Sequence, residues 1–370
     1  MLRAHKIRLY PNNVQETYFA KASGTARFAY NWALAEWKRK YEAGEVVNEG
    51  ILRKELNAIK REQFPWMLEV TKCAPQLAIK NDLNSAYKNF FRGLKQGKPT
   101  GYPKFRKKGV NDSFALSNDQ FQVSGKSVKI PNLGWVRLAE ELRLDGKILG
   151  ATVSRTADKW FIAIRVEMPD EPISERKNQA VGVDLGVKVL ATLSDGTEII
   201  GSKASRKYEK QLRRLNQSLS RKAGAKKGEK KSSNFVKTKR KLARLYAKMA
   251  DLRGDETHKL TTMLTQNYTL IGIEDLNVKG MMANHKLARS VADMNFFEFR
   301  RQLEYKADAI GATVVIADRW FPSSKKCAAC GAVKDELALS ERVYRCECGI
   351  VYDRDTNAAT NLRNYALQHA

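Results

Sequence analysis

The stretch Val181-Gly182-Val183-Asp184-Leu185-Gly186-Val187 sets one carboxylate in an otherwise apolar run punctuated by glycine. A run this apolar fits a β-strand covered on both faces. An unpaired Asp inside such a strand is costly, whereas at the strand's rim a cation can share it. Read alone, an Asp before glycine is as well explained by a turn or a helix cap. Two further carboxylates stand in matching contexts. Tyr268-Thr269-Leu270-Ile271-Gly272-Ile273 reads as a second buried strand and delivers Glu274. Asp353-Arg354-Asp355-Thr356-Asn357 opens a final helix whose Ala358, Ala359 and Leu362 suit close packing, and either Asp could cap it.

Around these three points the pattern is that of an α/β layer. Residues 189–193 and 197–200 flank Ser194-Asp195-Gly196, a hairpin signal. Two long basic helices follow, one with a stripe of Tyr208, Leu212, Leu215 and Leu219, the other with Leu242, Leu245, Met249 and Leu252. Acids are sparse on their remaining faces, where a merely solvated helix would intersperse them at i,i+4; an anionic partner is expected there. Between them, residues 222–233 are rich in Gly, Lys and Ser and read as a flexible connection. After Glu274 come a basic loop over 279–289, a helix with Phe299, Leu303, Ala307 and Ile310 on one face, and a strand over 313–317. This order of elements predicts a mixed sheet of the ribonuclease-H-like kind. Strand periodicity sends Asp275 to the face opposite Glu274.

The first half reads differently. His5-Lys6-Ile7-Arg8-Leu9-Tyr10 alternates as an amphipathic strand and stops at Pro11. Helical spacing then covers 15–42, with Phe28, Trp32 and Ala35 on one face, and continues over 52–61 and 76–94. In Gly101-Tyr102-Pro103-Lys104-Phe105-Arg106 cations alternate with aromatic rings, a pattern that suits phosphate contacts beside base stacking or simply a solvated loop. Residues 111–168 carry short strands around Gly125, Gly134 and Gly150 that could close a small barrel with the N-terminal strand. The polar stretch 169–178 reads as a linker between the halves.

The 370 residues carry 67 Lys and Arg against 40 Asp and Glu, a formal net charge of +27. Small well-behaved domains carry magnitudes of about 2 to 8, so a polyanionic partner is the simplest counterweight. The N-terminus has no apolar signal core and no run is long enough to span a membrane, which predicts a cytoplasmic protein without membrane attachment. Three acids gathered at one point would repel, and divalent cations would relieve that repulsion. Hard oxygen donors suit magnesium or manganese, and two such ions clamp the attacking and leaving oxygens of a phosphodiester. Four of the five cysteines, Cys327, Cys330, Cys346 and Cys348, form C-x2-C followed by C-x-C. Each knuckle ends in glycine, as in a tetrahedral structural zinc site, against the alternative of a disulfide or redox pair. The second knuckle is one residue tighter than usual. Cys73 stands alone and reads as buried.

Taken together these residues resemble the TnpB family, transposon-encoded RNA-guided DNA endonucleases related to type V CRISPR effectors. The resemblance runs through Arg8-Leu9-Tyr10-Pro11, Tyr87-Lys88-Asn89-Phe90-Phe91, Gly101 to Arg106, Gly182 to Gly186, Glu274-Asp275-Leu276 and the run from Phe299 to Ala307. Its most specific parts are Phe321-Pro322-Ser323-Ser324-Lys325, the cysteines, and Asp353-Arg354-Asp355 followed by Asn357-Ala358-Ala359. It implies an α+β multidomain protein: a wedge β-barrel (1–11 and 96–178) with an inserted helical recognition lobe (12–95), and an RNase H-like RuvC nuclease domain (179–322 and 350–370) with a zinc-ribbon target-nucleic-acid-binding insert (323–349). It implies Asp184, Glu274 and Asp355 as catalytic acids holding Mg2+ or Mn2+, and Zn2+ on the four cysteines. It places Lys72 and Gln76 at positions that contact a short motif beside the target, with Tyr102, Lys104, Phe105 and Arg106 as further nucleic-acid contacts. The partners implied are a guide RNA from the transposon end and double-stranded target DNA, bound by a monomer with one RNA. An RNA-guided repressor that does not cut, and a transposase that joins strands, are the alternatives.

Overall fold

The computed structural model describes residues 1–169, 178–223, 231–338 and 340–370. The centres of the two expected connections, 170–177 and 224–230, lie outside the described residues. The chain divides into two units, Met1–Pro169 and Asp170–Ala370.

In the first unit a strand, β1 (Leu2–Tyr10), precedes four helices: α1 (Asn13–Glu42), α2 (Glu49–Gln63), α3 (Cys73–Leu77) and α4 (Asn84–Lys95). Six strands follow: β2 (Ser113–Ser117), β3 (Gln122–Ser124), β4 (Ser127–Ile130), β5 (Gly134–Leu138), β6 (Lys147–Thr156) and β7 (Lys159–Glu167). They pair antiparallel in the order β2-β6-β7-β1-β5-β4-β3. β1 lies along β7 from Leu2 opposite Glu167 to Leu9 opposite Trp160, which ties the two ends of the unit together. The order ends at β2 and β3, so a closed ring of hydrogen bonds is not completed among the described residues; small Greek-key barrels are often partly open in this way.

Helix α1 starts at a capping box: Gln15 N–H donates to Asn12 Oδ1 at 2.9 Å and Asn12 N–H to Gln15 Oε1 at 3.0 Å. Its buried face is Phe19, Ala22, Ala26, Ala29, Ala33 and Leu34, while Ala35 is exposed and Phe28 and Trp32 are only half-buried. The expected face was therefore wrong by part of a turn. The large rings had pointed to the wrong stripe, because small side chains let this helix lie close to its neighbours. Phe19 meets Phe114 and Trp160 at centroid distances of 5.9 and 5.2 Å, so helices and sheet share one core. The expected helix 76–94 is broken by a wide π-turn at Ala78–Leu83 between α3 and α4, an insertion that leaves hydrophobic periodicity almost unchanged.

The second unit opens with β8 (Asn178–Leu185), β9 (Ala191–Leu193) and β10 (Glu198–Ile199). Three helices follow, α5 (Ala204–Lys207), α6 (Glu209–Arg221) and α7 (Ser233–Asn267), then β11 (Tyr268–Glu274). Next come α8 (Val278–Ala283), α9 (Ala288–Met294), α10 (Phe296–Ile310) and β12 (Thr313–Ala317). The ribbon strands β13 (Val343–Arg345) and β14 (Val351–Asp353) lead into α11 (Arg354–His369). The sheet order is β10-β9-β8-β11-β12, with β8, β11 and β12 parallel and the hairpin strands antiparallel. This is the mixed sheet the sequence predicts. The stretch 279–289, expected as a loop, instead contributes α8 and part of α9: Asn277 caps α8 by accepting from Gly280 N–H at 3.0 Å, a local bond that composition does not reveal. Leu215, Leu242, Leu245 and Met249 form the α6/α7 core, to which Leu252 does not belong.

Strand alternation explains how this sheet is covered. Val181, Val183, Ile271 and Ile273 join Phe299 and Leu303 of α10 in one core. Gly182 and Gly272 sit on the other face. There α11 comes so close that a Cβ at Gly182 would collide with the carbonyl of Ala359, and one at Gly272 with that of Leu362. These two glycines set the approach of α11 to the sheet. No described helix is long and apolar enough to cross a membrane.

Candidate active site and metal centre

Because side chains alternate, Asp184 shares the face of Gly182 and Glu274 that of Gly272, the face on which α11 lies. Val183 stands opposite Ile273 in the parallel pair, so the two acids follow at adjoining strand ends. Asp355 lies in the first turn of α11. Its neighbour Asp353 is the N-cap: its Oδ1 accepts from the backbone N–H of Asp355 at 2.9 Å and of Thr356 at 3.1 Å. The two aspartates thus differ in role: one oxygen of Asp353 is taken up by the cap, whereas Asp355 makes no capping bond.

Burial, then the charges of Glu274 and Asp355, push the Asp184 carboxyl well above the ordinary carboxylate range, with Arg354 acting against them. Burial also raises Glu274, while a hydrogen bond from Ser323 and the charge of Arg354 oppose the rise. Ser323 Oγ donates to Glu274 Oε1. Arg342 Nη1 reaches Asp355 Oδ2 at 3.7 Å. The structure thus brings the three acids into one electrostatic neighbourhood. Among the described residues, the cysteine group is the one set of three or more potential ligands gathered closely enough to hold a metal ion as it stands. A divalent cation would offset what burial and mutual repulsion cost these carboxylates, and oxygen donors of this kind suit Mg2+ or Mn2+.

The four sulfurs of Cys327, Cys330, Cys346 and Cys348 lie within 4.8 Å of one another. Cys327 Sγ is 3.8 Å from Cys348 Sγ, and Cys330 Sγ is 3.6 Å from Cys346 Sγ. Tetrahedral zinc with bonds near 2.3 Å gives sulfur edges of about 3.8 Å, whereas a disulfide needs about 2.05 Å. These two edges, each joining one knuckle to the other, are close to the zinc value and far from a disulfide. Burial alone would raise the Cys327 thiol, yet hydrogen bonds from the backbone of Cys330 and Ala329 and from the Cys330 and Cys346 thiols bring it down to about 6, while hydrogen bonds among the thiols push Cys330 and Cys348 up. A metal ligand needs that thiolate form.

Two buried asparagines fasten this ribbon to α11. Ala328 N–H donates to Asn357 Oδ1 at 3.0 Å, and Asn357 Nδ2 donates to Lys326 O at 2.7 Å. Asn361 Nδ2 donates to Ser323 O and Lys326 O at 2.8 and 2.6 Å. Ser323, Arg342 and Asn361 escaped the sequence reading as site residues. Only the i,i+4 spacing of Asn357 and Asn361 on one helix face could have flagged the clamp.

In the first unit Gln76 is engaged, its Oε1 accepting from Arg53 Nε at 2.9 Å and its Nε2 donating to Asn57 Oδ1 at 3.0 Å. Lys72 is exposed and lines a cavity of about 270 Å³ with Lys60, Gln120 and Asn132. Tyr102 hydroxyl bonds that of Tyr87 at 2.5 Å. Arg106 pairs with Asp82 at 2.9 Å and lies 4.2 Å over the Tyr30 ring, so it works inside the fold. Lys104 and Phe105 remain exposed.

The chain is 35% identical over 373 residues to a Streptomyces pristinaespiralis protein provisionally named an RNA-guided DNA endonuclease, covering 97% of this chain and 88% of that one. It is 34% identical over 379 residues to InsQ of Escherichia coli K12, which carries the same provisional description, covering 98% and 91%. The chain belongs to the TnpB family. Three family models match parts of this TnpB-family chain: "Probable transposase" at residues 163–285, "Cas12f1-like, TNB domain" at 296–362, and "Helix-turn-helix domain" at 1–45. The last spans β1 and the single continuous helix α1. The TnpB-family fold also aligns with a Cas12f1–sgRNA–target DNA complex at TM-score 0.61 and 15% identity, covering 95% of this chain and 83% of that one. That likeness establishes an α+β fold of the Cas12f kind.

Proposed function

We propose that this TnpB-family protein is an RNA-guided DNA endonuclease that cuts double-stranded DNA beside a short adjacent motif. The observation that carries this reading is the placing of Asp184, Glu274 and Asp355, from three distant parts of the chain, in one electrostatic neighbourhood. These acids would hold two divalent cations, which when bound stabilise the attacking and leaving oxygens of a phosphodiester. Ser323 fixes the Glu274 carboxylate by its hydroxyl. The names of the relatives and the net charge of +27 support guide RNA and DNA as partners. Sequence choice would then come from RNA–DNA pairing, the protein reading shape and the adjacent motif.

In this reading 179–322 and 350–370 form the RuvC nuclease domain and 323–349 a structural zinc ribbon that fixes Asp355 through α11. Residues 1–11 and 96–178 form the wedge barrel and 12–95 the recognition lobe. Lys72, with its cavity, and Gln76 face the adjacent motif; Lys104 and Phe105 meet nucleic acid, with Tyr102 and Arg106 shaping their loop. One chain binds one RNA. The test is to purify the chain with its co-purifying RNA and present a plasmid library with and without Mg2+. Cuts that vanish in Asp184→Ala are expected. Guided binding without cuts would make the protein a repressor, and joined strands would make it a transposase.

A further inference from the structure

Asp275 directly follows Glu274 and serves another purpose. Its Oδ1 accepts from Nη1 of Arg300 on α10 at 2.7 Å, and its Oδ2 from Nη2 of Arg319, just after β12, at 2.5 Å. Arg300 also donates Nε to Glu304 at 2.9 Å. A guanidinium has five N–H donors, so most of those on both arginines remain for other acceptors. Both line a cleft of about 270 Å³ whose wall also includes Glu274, Asn277, Phe296 and Phe297. That is slightly under the usual range of small-molecule sites, about 300–1,000 Å³, and suits one residue of a chain rather than a double helix.

Phe297 is the other singular feature. Its neighbour Phe296 is 3% exposed, whereas Phe297 is 71% exposed. The buried stripe of α10 is Phe296, Phe299, Gln302, Leu303 and Ala307, so Phe297 has no part in the packing of its helix. An exposed ring is unremarked on most surfaces. Here it stands at the rim of a cleft that has guanidinium groups on one side and a candidate catalytic acid on another.

We propose that this cleft is a subsite for one unpaired nucleotide, its base stacked on Phe297 and its phosphate against Arg300 and Arg319, which Asp275 positions. The proposal rests on the nuclease reading for what brings a strand there. A base can lie on an aromatic face only when it is out of a duplex, and stacking tolerates any base because each has a π-face. That tolerance suits an enzyme whose sequence choice is made elsewhere by pairing. Glu274 forms part of the same cleft, so a nucleotide seated there would set the adjoining backbone beside the acids.

The test uses the full chain with its co-purified RNA and the substitution Asp184→Asn, and a single-stranded DNA oligonucleotide carrying the fluorescent base 2-aminopurine. Quenching is expected on binding. Phe297→Ala should abolish it and weaken single-strand binding about tenfold, and Phe297→Trp should restore both. Arg319→Gln should lower the slope of log affinity against log salt by about 0.7, the loss of one single-strand phosphate contact, and Asp275→Asn should shift it the same way. Parent-like affinity and quenching in Phe297→Ala would overturn the proposal. Cutting by the chain with Asp184 intact is scored separately. Cutting with unchanged quenching in Phe297→Ala rejects the subsite alone, and ring-dependent quenching without cutting supports the subsite while rejecting the nuclease reading.

Discussion

The acid cluster and the cysteine cluster are both candidate metal sites, and they are built in opposite ways. The cysteines lie within 22 positions of one another, and their four sulfurs are already gathered within 4.8 Å in the fold. The acids come from the ends of β8 and β11 and the first turn of α11, and depend on a sheet register and a helix docked on two glycines. One site is written locally and the other by the fold. The two are joined mechanically, because Asn357 and Asn361 tie the ribbon to the helix that carries Asp355. The contrast predicts that damage to the local site will spread to the distant one, and not the reverse.

The sharpest break is Asp184→Ala, which should cost about 1,000-fold or more in cutting rate while zinc content and guide RNA binding stay at parent levels; loss of zinc would show that the sites are not separable in that direction. Cys330→Ser should remove the zinc, seen by native mass spectrometry, and also reduce cutting about tenfold or more, as loss of a supporting shell does. Full activity without zinc would break the mechanical link. Gly182→Ala should push α11 off β8, cost about 1–3 kcal/mol and lower both the melting temperature and the cutting rate. Asn357→Ala leaves the Ala328 N–H and Lys326 carbonyl without that partner, with a loss of about 1–3 kcal/mol in thermal or denaturant melts.

The smallest effect has the opposite sign. Asp184 has a folded pKa raised above its unfolded value of about 3.9, so the native state binds more protons between those values. Stability of the metal-free protein therefore falls as pH rises through that window, and the deficit persists above it. Asp184→Asn should remove the deficit and raise the metal-free melting temperature at neutral pH, by about 2–4 °C for each kcal/mol recovered. A lower melting temperature in this variant would refute the electrostatic account.

Much of this was legible in the sequence because it rests on periodicity. The apolar runs ending at Asp184 and Glu274 are strands, the spaced cysteines do gather at one point, and Ala358 and Ala359 do lie buried on the close-packed helix. What escaped depends on tertiary choice. The buried face of α1 is set by alanines, the turn at Ala78–Leu83 by one wide helical turn, and the pairing of Asp275 with Arg300 and Arg319 by elements 25 and 44 residues away. Choosing Asp355 over Asp353 rests on the family likeness; the structure adds that Asp353 caps the helix.

On the proposed function, Asp184, Glu274 and Asp355 together hold divalent cations. Anomalous diffraction from crystals of the chain grown with Mn2+ tests it directly. Two peaks about 3.5–4 Å apart, bordered by those three carboxylates, are expected. Manganese bound elsewhere, with the three side chains turned away from one another, would contradict it.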